Sequence, residues 1–121
     1  MNRKVVPDIQ PYLQRAQELL ASHEYAGAAA AFEQSARALR ATEDSRRSSL
    51  FIQAGFARIR ARETAHGLEL IQNGLALLAR LREWGRLRTI TDQVAGALKD
   101  LGLTHEADGL YQWLETVLPP V

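Results

Sequence analysis

His23–Leu39 reads HEYAGAAAAFEQSARAL, and the fold turns on what its small residues are for. A helix facing a core carries bulk, and one facing water carries charge. Here Tyr25 is followed by Ala26, Gly27 and four more alanines before Phe32. Small side chains let a second helix backbone come close, and a large one a turn later fills the space beside the contact. The stretch therefore predicts a helix over about 26–39 with another helix lying against its alanines.

Working outward, the same 3.6-residue period marks five more helices. The first begins near Asp8 and Pro11, a proline tolerated in an opening turn, and carries Ile9, Tyr12, Leu13, Ala16, Leu19 and Leu20. ATEDSRR (41–47) is a loop and helix start, with Thr42 or Asp44 as caps. The third helix carries Leu50, Phe51, Ala54, Ala57 and Ala61. The fourth, capped by Thr64, carries Leu68, Ile71, Leu75, Leu78 and Leu81. EWGR (83–86) is a break in which Gly85 suits a left-handed C-terminal cap. The fifth helix carries Leu87, Ile90, Val94, Leu98 and Leu101; the sixth, capped by Thr104, carries Ala107, Leu110, Tyr111, Leu114 and Leu118. Prolines occur only at positions 7, 11, 119 and 120, and strand-favouring residues are sparse between them. The fold class is all-α, and short connections make paired helices antiparallel.

A repeat underlies these pairs. Ala16, Ala28 and Phe32 recur at identical spacing as Gly55, Gly67 and Ile71, and again as Ala95, Ala107 and Tyr111. The first member sits midway along one helix and the second in the first turns of its partner. Glycine inside a helix costs about 1 kcal/mol relative to alanine, and close approach is a reason to keep Gly55 and Gly67.

On these residues, with Tyr25, Gly74, Gly102 and Pro119, the chain resembles the tetratricopeptide repeat (TPR) family over about residues 9–120. The resemblance implies six antiparallel helices as three TPR-like helix-turn-helix hairpins, stacked in a right-handed solenoid. It implies a single domain over 1–121, with an N-terminal tail (1–8) and repeats of about 9–42, 48–82 and 88–120. The repeat starts are 39 and 40 residues apart, longer than the family norm, and the first two units lack the family's proline. The family's concave groove, carried onto this chain, falls on Leu13, Gln17 and Leu20, then Ile52, Gln53, Phe56 and Arg60, then Asp92, Gln93 and Lys99. Glutamine amides both donate and accept, as a peptide bond does, so this groove suits a protein or peptide segment with apolar anchors. Family members that clamp a carboxylate place lysine, asparagine and arginine where Leu13, Gln17, Gln53, Thr89 and Gln93 stand here, which argues against a chaperone-tail ligand.

Other chemistry finds little footing. There is no cysteine, so no disulfide, thiolate ligand or cysteine nucleophile. No apolar run is long enough for a secretory signal or a membrane span, and a cytoplasmic protein without membrane contact is the expectation. His23, His66 and His105 fall near turns about one repeat apart and are read as solvated residues, not as metal ligands. No catalytic or phosphate-cradling motif occurs, so we expect no enzyme, cofactor or metal. Net charge is +1. Arg80, Arg82, Arg86 and Arg88 gather around the fourth break, with Trp84 the only stacking ring, so nucleic-acid binding is a weaker alternative. Arg58 and Arg62 share a helix face, read as solvated or salt-bridged. The sixth helix carries Leu110, Trp113, Leu114 and Val117 with no covering helix after it, which makes it the expected interface of a homodimer or self-assembling scaffold.

Overall fold

The computed structural model describes residues 8–120, apart from the Ala41 side chain, and among these every regular element is helical. The elements are α1 (Gln10–Ala21), α2 (Tyr25–Ala38), a 3-10 turn (Ala41–Glu43), α3 (Asp44–Arg60), α4 (Thr64–Arg80), α5 (Trp84–Asp100) and α6 (Thr104–Val117). Of the expected N-terminal tail, residues 1–7 lie outside the described residues; Asp8 accepts a hydrogen bond from the Gln10 backbone N–H at 3.0 Å, and Pro11 sits in the opening turn of α1. The chain divides into two compact units, one through Leu77 and one from Leu78.

Four connections share one backbone path. A residue in the left-handed region ends the helix: His23 (φ 60°), Arg62 (φ 67°), Arg82 (φ 57°) and Gly102 (φ 80°). Its N–H donates three residues back, and the next N–H donates five back, as in Glu24 to the Leu19 carbonyl and Leu103 to the Leu98 carbonyl, both 2.8 Å. This is the Schellman arrangement, which satisfies the last carbonyls of a helix. Its recurrence spaces the helix starts Asp44, Thr64, Trp84 and Thr104 at twenty residues. The α2–α3 connection differs: Leu39 and Arg40 are extended and lead into the 3-10 turn.

Three expectations about helix ends are corrected. Gly85 does not supply the left-handed cap; it lies in the first turn of α5, and Arg82 takes that conformation instead. Thr64 and Thr104 are first helical residues and not caps. Thr42 lies in the 3-10 turn, and Asp44 is buried and bonded by Arg47 at 2.8 Å, with no side-chain cap on α3.

In the first unit, α2 packs on both α1 and α3. That explains the alanines: Ala28 and Ala29 cluster with Ala57 of α3, and Leu19 and Leu20 of α1 pack on the same cluster. Two helices, not one, approach them. The main core joins Ile9 and Ala16, Phe32, Ala36 and Leu39, Leu50 and Ala54, and Leu70, with Phe51 packed on it.

The α3–α4 seam is tighter. Small residues stand seven apart on both sides, Ser48 and Gly55 on α3, Gly67 and Gly74 on α4. Isoleucines follow four residues after Ser48, Gly55 and Gly67. A Cβ placed on Gly55 would lie 2.6 Å from the Gly67 carbonyl oxygen, and one on Gly74 2.7 Å from that of Ser48. The Ser48 hydroxyl donates to the Gly74 carbonyl at 2.6 Å. Along this contact residue numbers rise on α3 as they fall on α4.

In the second unit α5 packs on α6, burying Leu87, Val94, Ala95 and Leu98 with Ala107, Leu110 and Leu114. Thr91 is fully buried with its hydroxyl unpartnered among the described residues. Eight of the nine repeat residues are buried, and Tyr111 is the half-buried exception.

Candidate partner-binding surface

The seam decides which side of α3 remains open. With Ser48, Ile52, Gly55 and Ile59 turned toward α4, the helix presents Ser49, Gln53, Phe56 and Arg60 at spacings of three and four. Gln53 donates to the Ser49 hydroxyl at 3.2 Å, Phe56 is half-buried, and the Arg60 guanidinium lies 5.8 Å from the Tyr25 ring centroid. Ile52 is corrected out of the expected groove: only 9% exposed, it packs where Gly74 makes room. On α1, Gln17 is exposed, while Leu13 and Leu20 are half-buried against the core.

In the second unit Asp92, Gln93 and Lys99 are all exposed. Asp92 accepts a hydrogen bond from the Tyr111 hydroxyl at 2.8 Å, and Lys99 Nζ stands 5.8 Å from the centre of the same ring. Two of the three expected groove residues are thus organised around a tyrosine that the sequence reading placed in the core. The bond to Asp92, then partial desolvation and the charges of Asp92 and Asp108, push the Tyr111 hydroxyl above its ordinary pKa.

The residues of the expected α6 interface differ in exposure. Leu110 and Leu114 are buried at 8% exposure, and Trp113 and Val117 are half-buried. The exposed positions of α6 are mainly polar: His105, Asp108, Gln112, Glu115 and Thr116. Where α4 has Leu68 and Leu75, α6 has Asp108 and Glu115, so its outer face is solvated.

An ion network in the first unit escaped the sequence reading. Glu33 of α2, with 5% of its side chain exposed, receives Arg58 of α3 at 2.6 Å; Arg58 also pairs with Glu63 at 3.1 Å. His66 stands 3.4 Å from Glu33 and 3.7 Å from Glu63, and Arg37 3.7 Å from Glu33. Burial alone would lower the Arg58 pKa, but its bonds to Glu33 and the nearby carboxylate charges outweigh that and raise it. Arg58 is therefore a locked structural cation, whereas Arg62, read as its face-mate, is an exposed turn residue. Glu33 carried a signal: it is a lone charge on the α2 face shared by Ala29 and Ala36.

Of the three histidines, His66 joins this network, and His23 and His105 stand elsewhere. His23 shares a 2.8 Å hydrogen bond with the Tyr25 hydroxyl. His66 and His105 stand in the first turns of α4 and α6. Among the described residues no group of three or more histidines and acids is placed to hold a metal, and no helix is long and apolar enough to cross a membrane. Arg80, Arg82, Arg86 and Arg88 are exposed, with Arg86 reaching Glu83 at 3.5 Å. Beside the α1–α2 turn, Ala26, Gly27 and Ala30 floor an open depression of about 670 Å³. No protein-family model, no curated protein and no solved structure matches this chain.

Proposed function

We propose that this chain is a non-catalytic protein-interaction module of three antiparallel TPR-like hairpins stacked in a right-handed solenoid. The outward stripes of α1 and α3 hold a partner segment. The recurring Schellman turns and the opposed numbering along the α3–α4 seam support the hairpins. The observation that carries the binding role is Phe56, an aromatic ring left half-open between exposed Gln53 and Arg60 on a helix whose opposite side is sealed. A ring at the centre of a polar stripe is the usual form of an anchor position. Gln17 of α1 is the same repeat position as Phe56, and extends the stripe with an amide.

The test selects peptides on the wild-type chain from a random display library and measures them against Phe56→Glu. We expect at least a tenfold loss of affinity, roughly the effect of removing an interface anchor, with the far-UV circular dichroism unchanged. Selected peptides that bind both chains equally reject this surface.

A further inference from the structure

In the first unit, α3 packs on a cluster that includes Ile9, Leu13, Phe32, Ala36 and Leu39, with Ser35 buried on the same stretch of α2. Five are buried and Leu13 is half-buried; Leu50 and Ala54 of α3 join their cluster, and the Phe51 ring packs on it. The equivalent turn residues His23 and Gly102 set the register between the α1–α2 and α5–α6 pairs at 79 residues. Advanced by that amount, the six seat positions become Arg88, Asp92, Tyr111, Leu114, Glu115 and Leu118. These six line an open cleft of about 350 Å³ between α5 and α6. The cleft stands at the repeat positions of the helix seat, but three of its residues carry charge.

The chain also holds a helix face that matches it. The register from α3 back to α1 is 39 residues, the interval from Arg62 to His23. Phe51 then corresponds to Tyr12 and Ala54 to Arg15. Tyr12 is 42% exposed, one of three exposed large hydrophobic side chains among the described residues. Arg15 is exposed, and among the described residues no ion pair engages it. The cleft offers two carboxylates, Asp92 and Glu115, against one cation, Arg88.

We propose that α1 of one copy docks in the α5–α6 cleft of a second copy, with Tyr12 where Phe51 sits in the first unit. Arg15 meets Asp92 and Glu115, and Leu114 and Leu118 form the apolar floor under the tyrosine. The two faces are different surfaces, so the contact is heterologous and copies add head to tail. Gln53 and Phe56 take no part, so a failed peptide test leaves this inference standing.

Sedimentation equilibrium of the whole chain tests it. The wild-type average mass rises with concentration through the micromolar to millimolar range. Tyr12→Glu, which spoils only the helix face, and Glu115→Arg, which spoils only the cleft, each weaken association at least about tenfold. Mixed in equal amounts, the two variants form a dimer and stop there, because one good face remains on each. Arg15→Glu restores binding to the Glu115→Arg cleft. A wild-type chain that stays monomeric, association that survives Tyr12→Glu, or a mixture of helical variants that stays monomeric overturns the proposal.

Discussion

Gly67→Ala separates close helix approach from helix propensity, because the two push stability in opposite directions. In an open helix, alanine for glycine gains up to about 1 kcal/mol. Gly109, on α6, is such a place: a Cβ there meets nothing within 4 Å. At Gly67 a Cβ would overlap the Gly55 carbonyl oxygen and stand 2.7 Å from Ile59 Cγ1 and 3.0 Å from the Ile59 backbone nitrogen. Two of these atoms are backbone, so relief requires α3 and α4 to part, loosening Ile52, Ile59 and Ile71 together. Overpacking of this kind costs about 1–3 kcal/mol, and a backbone clash belongs at the upper end. Subtracting the propensity gain leaves Gly67→Ala destabilised by about 2 kcal/mol, while Gly109→Ala is stabilised by about 1 kcal/mol. At this chain length each kcal/mol moves the melting midpoint by about 3–5 °C, so the two variants should differ by roughly 10 °C. Thermal melts followed at 222 nm, with urea titrations for the free energies, measure both. If Gly67→Ala raises stability as Gly109→Ala does, the helices do not touch through Gly55 and Gly67, and the positions assigned to Ile52 and Phe56 fall with that contact.

Arg58→Met should cost about 3 kcal/mol, the lower end for orphaning a buried charge because Arg37 and His66 remain beside Glu33, and Glu33→Leu added to it should recover most of that in urea unfolding. Tyr111 donates to Asp92 only when protonated, so its raised folded pKa means stability present below the ordinary tyrosine range and lost as pH rises through the folded value. Melts across alkaline pH should show that loss, and Tyr111→Phe should remove that component of it. In Asp92→Asn, tyrosinate absorbance should appear at lower pH than in the wild type. Arg82→Gly should stabilise by about 0.5–1 kcal/mol, since a left-handed residue with a Cβ is strained, whereas Gly102→Ala should destabilise by about 1 kcal/mol; denaturant midpoints check both.

The six helices were legible because periodic apolar residues and the terminal prolines leave little choice, and the seam was legible because glycine within a helix needs a reason. The seven-residue spacing of Ser48 and Gly55, and of Gly67 and Gly74, was also present in the sequence. It would have assigned Ile52 to the seam and not to a groove. What failed were rules of local preference that tertiary context overrode. Gly85 attracts a left-handed assignment because glycine adopts that conformation freely, yet the twenty-residue helix spacing puts Arg82 there. The pairing of Glu33 with Arg58 spans 25 residues, and only the packing of α2 on α3 brings them together.

One repeat position shows how the surface of the chain follows from the same register. Phe32, Ile71 and Tyr111 are equivalent; the first two are sealed at 2% and 0% exposure, and the third is half-open. The sequence marks the difference in its neighbours as well as in the tyrosine. Ile9 becomes Arg88, Leu13 becomes Asp92 and Ala36 becomes Glu115, three apolar seat positions converted to charge. Leu118, in place of Leu39, and Leu114, in place of Ser35, leave an apolar floor, while the charges make an unspecific apolar contact unfavourable, since any helix laid there must satisfy three charges or leave them desolvated. A polar outer face on α6 points the same way, because Asp108 and Glu115 replace leucines and remove the broad apolar face on which Trp113 would have been the anchor. A helix that docks in this cleft is therefore selected by charge as well as by shape.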